Sequence, residues 1–117
     1  MKRVITGEKD GRSYFAHVGE ELFGPVGVLL PYQTVEEAIA IAHDSPYGLH
    51  AAVYGPPVEA YEVAKRLRAG AVSINGGGFM RPEGPWGGFR LSGMGREMGD
   101  DGYREFFQVK HLQWPIR

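Results

Sequence analysis

The residues best suited to chemistry are two adjacent carboxylates, Glu20 and Glu21, which precede the stiff run Phe23-Gly24-Pro25. A carboxylate held by such a turn can accept two hydrogen bonds from vicinal hydroxyls, as a ribose presents them. A neighbouring aromatic side chain can lie against a flat ring. The alternative is a solvated glutamate pair with Phe23 in the core, and on the chemistry alone this alternative is favoured.

Glycine-rich segments are the second candidates, because backbone N–H groups can bind phosphate in such segments. Gly93-x-Gly95-x-x-x-Gly99 has a spacing close to a dinucleotide fingerprint, which requires a strand before it and a helix beginning within it. Residues 84–92, which precede it, have the composition of a loop. We therefore predict a turn at a helix start, and for Gly76-Gly77-Gly78 a simple turn after a strand.

Other catalytic patterns are missing from the sequence. Ser92 is flanked by Leu91 and Gly93, so it lacks the Gly-x-Ser-x-Gly elbow of hydrolases. The 117 residues contain no cysteine, which excludes disulfides, thiolate metal ligands and thiol nucleophiles within them. We assign no catalytic residue and no metal site, since the histidines share no ligand spacing: His17, His43, His50 and His111.

Composition narrows the functional class. A chain of 117 residues has the size of one domain, and 13 basic against 14 acidic residues give a net charge of −1. This balance gives no reason to bind nucleic acid or an anionic membrane surface. Because the sequence has neither a membrane-spanning apolar run nor a signal-peptide pattern at its start, we expect a cytoplasmic protein.

The elements that position the candidate residues follow from the hydrophobic pattern. Three short apolar runs alternate with two stretches of helical periodicity. The first helix opens with a Thr34-x-x-Glu37 capping box, and Gly70 is predicted as the C′ residue of the second. The strands are predicted at 26–30, 49–54 and 71–75. This order predicts an α/β fold with a mainly parallel sheet and helices on both faces.

The two ends of the chain are expected to differ from this centre. Residues 1–19 are polar and rich in turn formers, and we predict an irregular lead-in there. Residues 20–107 form the main unit, with a short helix near Arg96–Phe107. Residues 108–117 are predicted to form a C-terminal edge strand, Gln108–Trp114, closed by Pro115.

The motif series resembles the carboxy-terminal part of the NAD(P)-dependent aldehyde dehydrogenase superfamily. Its members share runs similar to three in this chain, in the same order: Glu20-Glu21-Leu22-Phe23-Gly24-Pro25, Pro85-Trp86-Gly87-Gly88 and Ser92-Gly93-Met94-Gly95-Arg96-Glu97. The resemblance extends from about residue 20 to about residue 112. It implies an incomplete aldehyde-dehydrogenase-like catalytic domain.

The resemblance also implies roles for single residues. Glu21 is similar to the family residue that binds the nicotinamide-side ribose, and Phe23 to the aromatic beside the nicotinamide. Trp86 matches the aromatic that borders the aldehyde entrance, with Phe79 and Met80 where the family varies its substrate pocket. Asn75 ends the third strand and is expected to be structural. Residues 108–114 match the segment through which family members join subunits, so a homo-oligomer is expected.

What the resemblance implies about activity is limited. The family's nucleophilic cysteine, glutamate base and glycine-bearing cofactor domain would lie upstream of Met1. We therefore expect a carboxy-terminal piece of an enzyme that oxidises an aldehyde to an acid with NAD or NADP. The chain alone is expected to be inactive and to bind the cofactor weakly or not at all. The alternative is a free-standing oligomeric binding or assembly module with the same fold.

Overall fold

The fold was obtained as a computed structural model, which describes residues 4–9, 12–17, 25, 27–78 and 80–116. Two pairs of strands, three α-helices and one turn of 3-10 helix make up this part of the chain. In order they are β1 (Val4–Lys9), β2 (Arg12–His17), α1 (Val35–His43), β3 (His50–Val53), α2 (Pro57–Arg66), β4 (Ala71–Ile74), the 3-10 turn (Arg90–Ser92) and α3 (Gly99–Arg104).

The central unit is β3–α2–β4. The strands β3 and β4 lie side by side in parallel, with His50 opposite Ala71 and Val53 opposite Ile74, and α2 packs against both. A parallel pair requires a crossover connection, and α2 supplies it. The expected α/β class with parallel strands is confirmed.

Helix α1 begins where the capping box predicts. The Thr34 side-chain oxygen accepts a hydrogen bond from the Glu37 backbone N–H at 3.2 Å, and the Glu37 carboxylate accepts one from the Gln33 N–H at 2.9 Å. In a capping box the glutamate accepts from the N–H of the cap residue, Thr34. Here the Glu37 carboxylate instead accepts from the N–H of Gln33, the residue before the cap. Helix α1 also contacts α2, which connects it to the strand pair.

The lead-in is more ordered than the sequence predicts. Strands β1 and β2 form an antiparallel hairpin, with Val4 opposite His17 and Lys9 opposite Arg12, where we expected irregular backbone. The expectation was wrong because the many turn-forming residues concealed short strand-favouring runs, Val4-Ile5 and Tyr14-Phe15.

Two predicted strands are not formed among the described residues. Residues 27–30 pair with no strand there, and Leu29 is 90% exposed. The edge strand predicted at 108–114 is also missing, and Val109 is fully exposed. Both runs have the composition of strands, but a strand forms only beside a partner strand, and the described part provides none next to either run.

The glycine-rich half also departs from expectation. Helix α3 is shorter than the predicted Arg96–Phe107, because Glu97 pairs with Trp86 in an antiparallel bridge and Met98 has a positive φ of 62°. Helix α2 ends at Arg66 with Leu67 as its C-cap, so Gly70 is not a C′ residue. Gly70 instead lies against Gly87, where an added Cβ would stand 1.6 Å from the Gly87 carbonyl oxygen.

Candidate functional site

Two of the five residues expected at a cofactor or substrate site fall within the described part of the chain. Glu21, Phe23 and Phe79 lie outside the described residues. Trp86 is half-buried in the glycine-rich half, and Met80 is 47% exposed in the loop after β4. The candidate site is therefore built around Trp86.

The backbone of Trp86 is fixed from both sides. Its N–H donates to the Glu97 carbonyl at 2.6 Å and its carbonyl accepts from the Glu97 N–H at 2.7 Å. The next two residues have room for no side chain: a Cβ on Gly87 would stand 2.5 Å from the Gly95 carbonyl, and one on Gly88 2.4 Å from the Ser92 carbonyl. Glycine lets two stretches of backbone approach closely here, which places the indole.

Arg96 holds the loops around Trp86 together. Its Nη1 donates to the carbonyl oxygens of Gly88 at 3.0 Å and Gly95 at 2.6 Å, and the guanidinium lies 5.2 Å from the centre of the Phe89 ring. Such charge-assisted bonds are stronger than neutral ones. Sequence reasoning missed this role, since nothing in the residue type shows that its targets are backbone carbonyls.

Gly48 attaches the Trp86 loop to the sheet. Its carbonyl oxygen accepts from the N–H groups of Gly70 at 3.0 Å and Phe89 at 2.9 Å, and its own N–H donates to the Ser92 side-chain oxygen at 3.0 Å. Ser92 thus has a structural role as an acceptor. These bonds join Gly48, two residues before β3, to Gly70, directly before β4, and to the 86–92 loop.

A histidine and a serine on the sheet lie next to Trp86. The His50 Nε2 and the Ser73 Oγ share a hydrogen bond of 3.2 Å, and the His50 ring centre lies 6.2 Å from that of Trp86, with the rings inclined by 34°. Sequence reasoning missed this pair. The signal that could have found it is the two-residue alternation of two neighbouring strands.

Two surface depressions adjoin this group. One, of about 420 Å³, is lined by Trp86, Met94, Glu97 and Glu105 among others. The other, of about 260 Å³, lies towards the end of α1 and includes His50. Leu49 and Ser92 line both depressions.

The described residues of the site offer shape and polar contacts. Across residues 27–78 and 80–116, no three histidine, aspartate or glutamate side chains converge as a metal site would require. None of the helices in the described part is both long and apolar enough to span a bilayer. What the arrangement can do is present a fixed aromatic face beside a depression.

Comparisons with known proteins identify the fold and the family. The family model of the aldehyde dehydrogenase family matches residues 12–112. A Staphylococcus saprophyticus protein that carries the name aldehyde dehydrogenase is 46% identical over 94 residues, which are 80% of this chain and 20% of that protein.

Solved structures agree. A betaine aldehyde dehydrogenase of Staphylococcus aureus in complex with NAD⁺ is 42% identical with a TM-score of 0.74, over 80% of this chain and 19% of its own. Aldehyde dehydrogenase C of Pseudomonas syringae, a mutant complexed with NAD⁺ and octanal, is 48% identical with a TM-score of 0.72, over 78% and 19%. The chain spans about one fifth of the length of these relatives. This chain belongs to the aldehyde dehydrogenase family.

Proposed function

We propose that this chain forms one wall of the cofactor and aldehyde site of an NAD(P)-dependent aldehyde dehydrogenase. The observation that carries the proposal is the continuous family match over residues 12–112. The match includes every proposed cofactor and substrate residue: Glu21, Phe23, Phe79, Met80 and Trp86. In the intact enzyme the reaction is the oxidation of an aldehyde to an acid.

Glu21 and Phe23 are the proposed cofactor contacts. The chemistry of these two side chains fits a nicotinamide nucleotide. A carboxylate can accept two hydrogen bonds from a ribose diol, and an aromatic ring can pack against the nicotinamide. When bound, the nicotinamide takes up the hydride from the substrate. Glu21 would hold the ribose and Phe23 the ring. The NAD⁺ complexes of two relatives support the nicotinamide class, with NADP as the alternative.

Trp86, Phe79 and Met80 are the proposed borders of the aldehyde pocket. The fixed backbone of Trp86 supports this, because a substrate wall must keep its position. The 420 Å³ depression beside it falls within the roughly 300–1,000 Å³ of small-molecule sites. The octanal in the Pseudomonas syringae structure shows that a family member accepts a long aliphatic aldehyde.

The isolated 117-residue polypeptide is proposed to bind the cofactor at most weakly and not to turn over, because the chemistry requires a thiol nucleophile and this sequence has no cysteine. The test is an assay of NAD and NADP reduction with octanal and with betaine aldehyde. We expect the rate of a no-protein control. Reduction above that control would contradict the proposal.

Binding is tested separately by titrating isotope-labelled protein with NAD⁺ and following backbone NMR signals. We expect small shifts centred on Glu21 and Phe23, which Glu21→Gln and Phe23→Ala abolish. Glu20→Gln is the matched control, since it removes the neighbouring carboxylate and should leave the shifts unchanged. Equal effects of the substitutions at 20 and 21 would exclude the proposed ribose contact.

A second candidate function is an oligomeric assembly module. The observation that favours it is the exposure of many large apolar side chains in the described part, including Val109, Leu112, Trp114 and Ile116 near the end of the chain. An exposed apolar strip of this kind favours association with another surface. We propose a second copy of this chain as the partner.

A further inference from the structure

We propose that His50 is a positioning residue, which Ser73 holds and which in turn fixes the indole of Trp86 at the border of the aldehyde pocket. The aldehyde part of this inference rests on the proposed function of Trp86. The positioning part rests on the geometry of the three side chains alone.

The strand register brings His50 and Ser73 together. His50 pairs with Ala71, and Ala52 pairs with Ser73. Because side chains alternate across a strand, His50 and Ser73 project from the same face as diagonal neighbours. Their side chains meet at 3.2 Å in a partly buried hydrogen bond. Partial exclusion of water makes such a bond a firmer restraint than the same bond in solvent.

The imidazole of His50 then restricts the side-chain conformations of Trp86. The ring centres are 6.2 Å apart, a separation at which aromatic pairs attract each other. The Trp86 backbone is already fixed by its two hydrogen bonds to Glu97, so the remaining freedom lies in the side-chain torsions. A ring held against one side of the indole reduces that freedom.

The position of this ring pair gives it a role in pocket shape. His50 lines the 260 Å³ depression and Trp86 the 420 Å³ depression, while Leu49 and Ser92 line both. The pair therefore stands between the two spaces. Rotation of the indole towards His50 would enlarge the space on the proposed aldehyde side, so His50 sets the size of aldehyde that this wall admits.

The test uses tryptophan fluorescence. The chain has two tryptophans, so Trp114→Phe leaves Trp86 as the single emitter. In that background we expect His50→Ala to shift the Trp86 emission to longer wavelength and to increase its quenching by acrylamide. Ser73→Ala should act in the same direction but less strongly. His50→Phe, which keeps a ring beside the indole but cannot bond to the serine, should act like Ser73→Ala, and His111→Ala in the tail should change nothing.

Far-UV circular dichroism of each variant separates positioning from unfolding. Fluorescence changes with an unchanged dichroism spectrum, together with a smaller change in His50→Phe than in His50→Ala, support the inference. An unchanged Trp86 signal in His50→Ala, or a change in His50→Phe as large as that in His50→Ala, overturns the inference. Octanal added to the parent should alter Trp86 emission. If octanal has no effect while His50→Ala still shifts the emission, the positioning role stands and the proposed aldehyde contact fails.

Discussion

At the scale of single residues, Asn75 shows how a side chain can hold two connections together. Its Oδ1 accepts from the Gly55 N–H at 2.9 Å and its Nδ2 donates to the Gly55 carbonyl at 2.9 Å. Asn75 also has a positive φ of 50°, which asparagine tolerates better than most residues. The loop after β3 and the turn after β4 are thereby joined, and the expectation that Asn75 is structural is confirmed.

Substitution of Asn75 should separate the contribution of its two hydrogen bonds from that of its positive φ. Asn75→Gly removes both hydrogen bonds but keeps an easy positive φ, and we expect a loss of about 1 kcal/mol in the free energy of unfolding. Asn75→Ala also imposes the strained φ, adding about 1 kcal/mol more. Urea unfolding followed by circular dichroism measures both. Equal midpoints for the two variants, or the reverse order, would contradict a contribution from the backbone conformation.

At the scale of elements, the sequence predicts those helices and strands that short-range patterns of residues determine. Helices α1 and α2 follow from apolar periodicity, with a capping box at the start of α1, and β3 and β4 follow from short apolar runs bounded by turn formers. Strands were also expected at 26–30 and 108–114, but none forms among the described residues there, because strand formation depends on a distant partner that a local pattern does not reveal. The same reason applies to the site. Trp86 could be predicted from a sequence motif, whereas the contact between His50 and Ser73 depends on the register between two strands.

The contact between Gly70 and Gly87 gives a prediction at this scale. Gly70→Ala would place its Cβ 1.6 Å from a backbone oxygen, so the loop that carries Trp86 must move away from β4. We expect a loss of at least about 2 kcal/mol in the free energy of unfolding. Gly55→Ala is the matched control, because a Cβ there meets nothing within 4 Å. Similar unfolding midpoints for the two variants would contradict this close approach.

The contact between α1 and α2 has a pH-dependent part. The pKa of Glu36 is lowered, first by a hydrogen bond from its own backbone N–H and next by the Arg66 side chain, whose Nη1 lies 3.4 Å from the Glu36 Oε1. A lowered folded pKa means that this stabilisation is present above the unfolded value of about 4.3 and is lost as the pH falls through the folded value. Both side chains are exposed, so the effect should be small and should weaken with salt.

Glu36→Gln should reduce the difference between the urea midpoints at neutral and acidic pH, because the variant has no carboxylate to protonate. Glu59→Gln, in the first turn of α2, is the control for a general loss of charge near a helix start. A pH difference that is identical in the parent and Glu36→Gln would exclude a role for the Glu36–Arg66 pair.

At the scale of the whole molecule, the described residues bury little apolar surface. Ile39 and Ala60, at 7% and 2% exposure, are the buried hydrophobic residues among them. A domain of this size normally buries about two thirds of the surface of its unfolded chain. The chain spans about one fifth of the length of the relatives that it matches.

Self-association is the prediction that follows. We expect dimers or larger species in sedimentation velocity at tens of micromolar, because burial of exposed apolar side chains favours association. The double substitution Val109→Asp and Leu112→Asp should shift the distribution towards monomer. Leu91→Asp, at another exposed leucine, is the control and should leave it unchanged. A monomeric parent, or an equal effect of Leu91→Asp, would argue against association through the tail.

The contact that Arg90 makes with the end of α1 has a consequence for the order in which the molecule is built. Its guanidinium donates to the carbonyls of His43, at 2.9 Å, and Ser45, and so places a positive charge where the helix leaves carbonyls without intrahelical partners. The two acceptors lie 47 and 45 residues before their donor. During synthesis, the end of α1 therefore gains the hydrogen bonds from Arg90 only after Arg90 has left the ribosome.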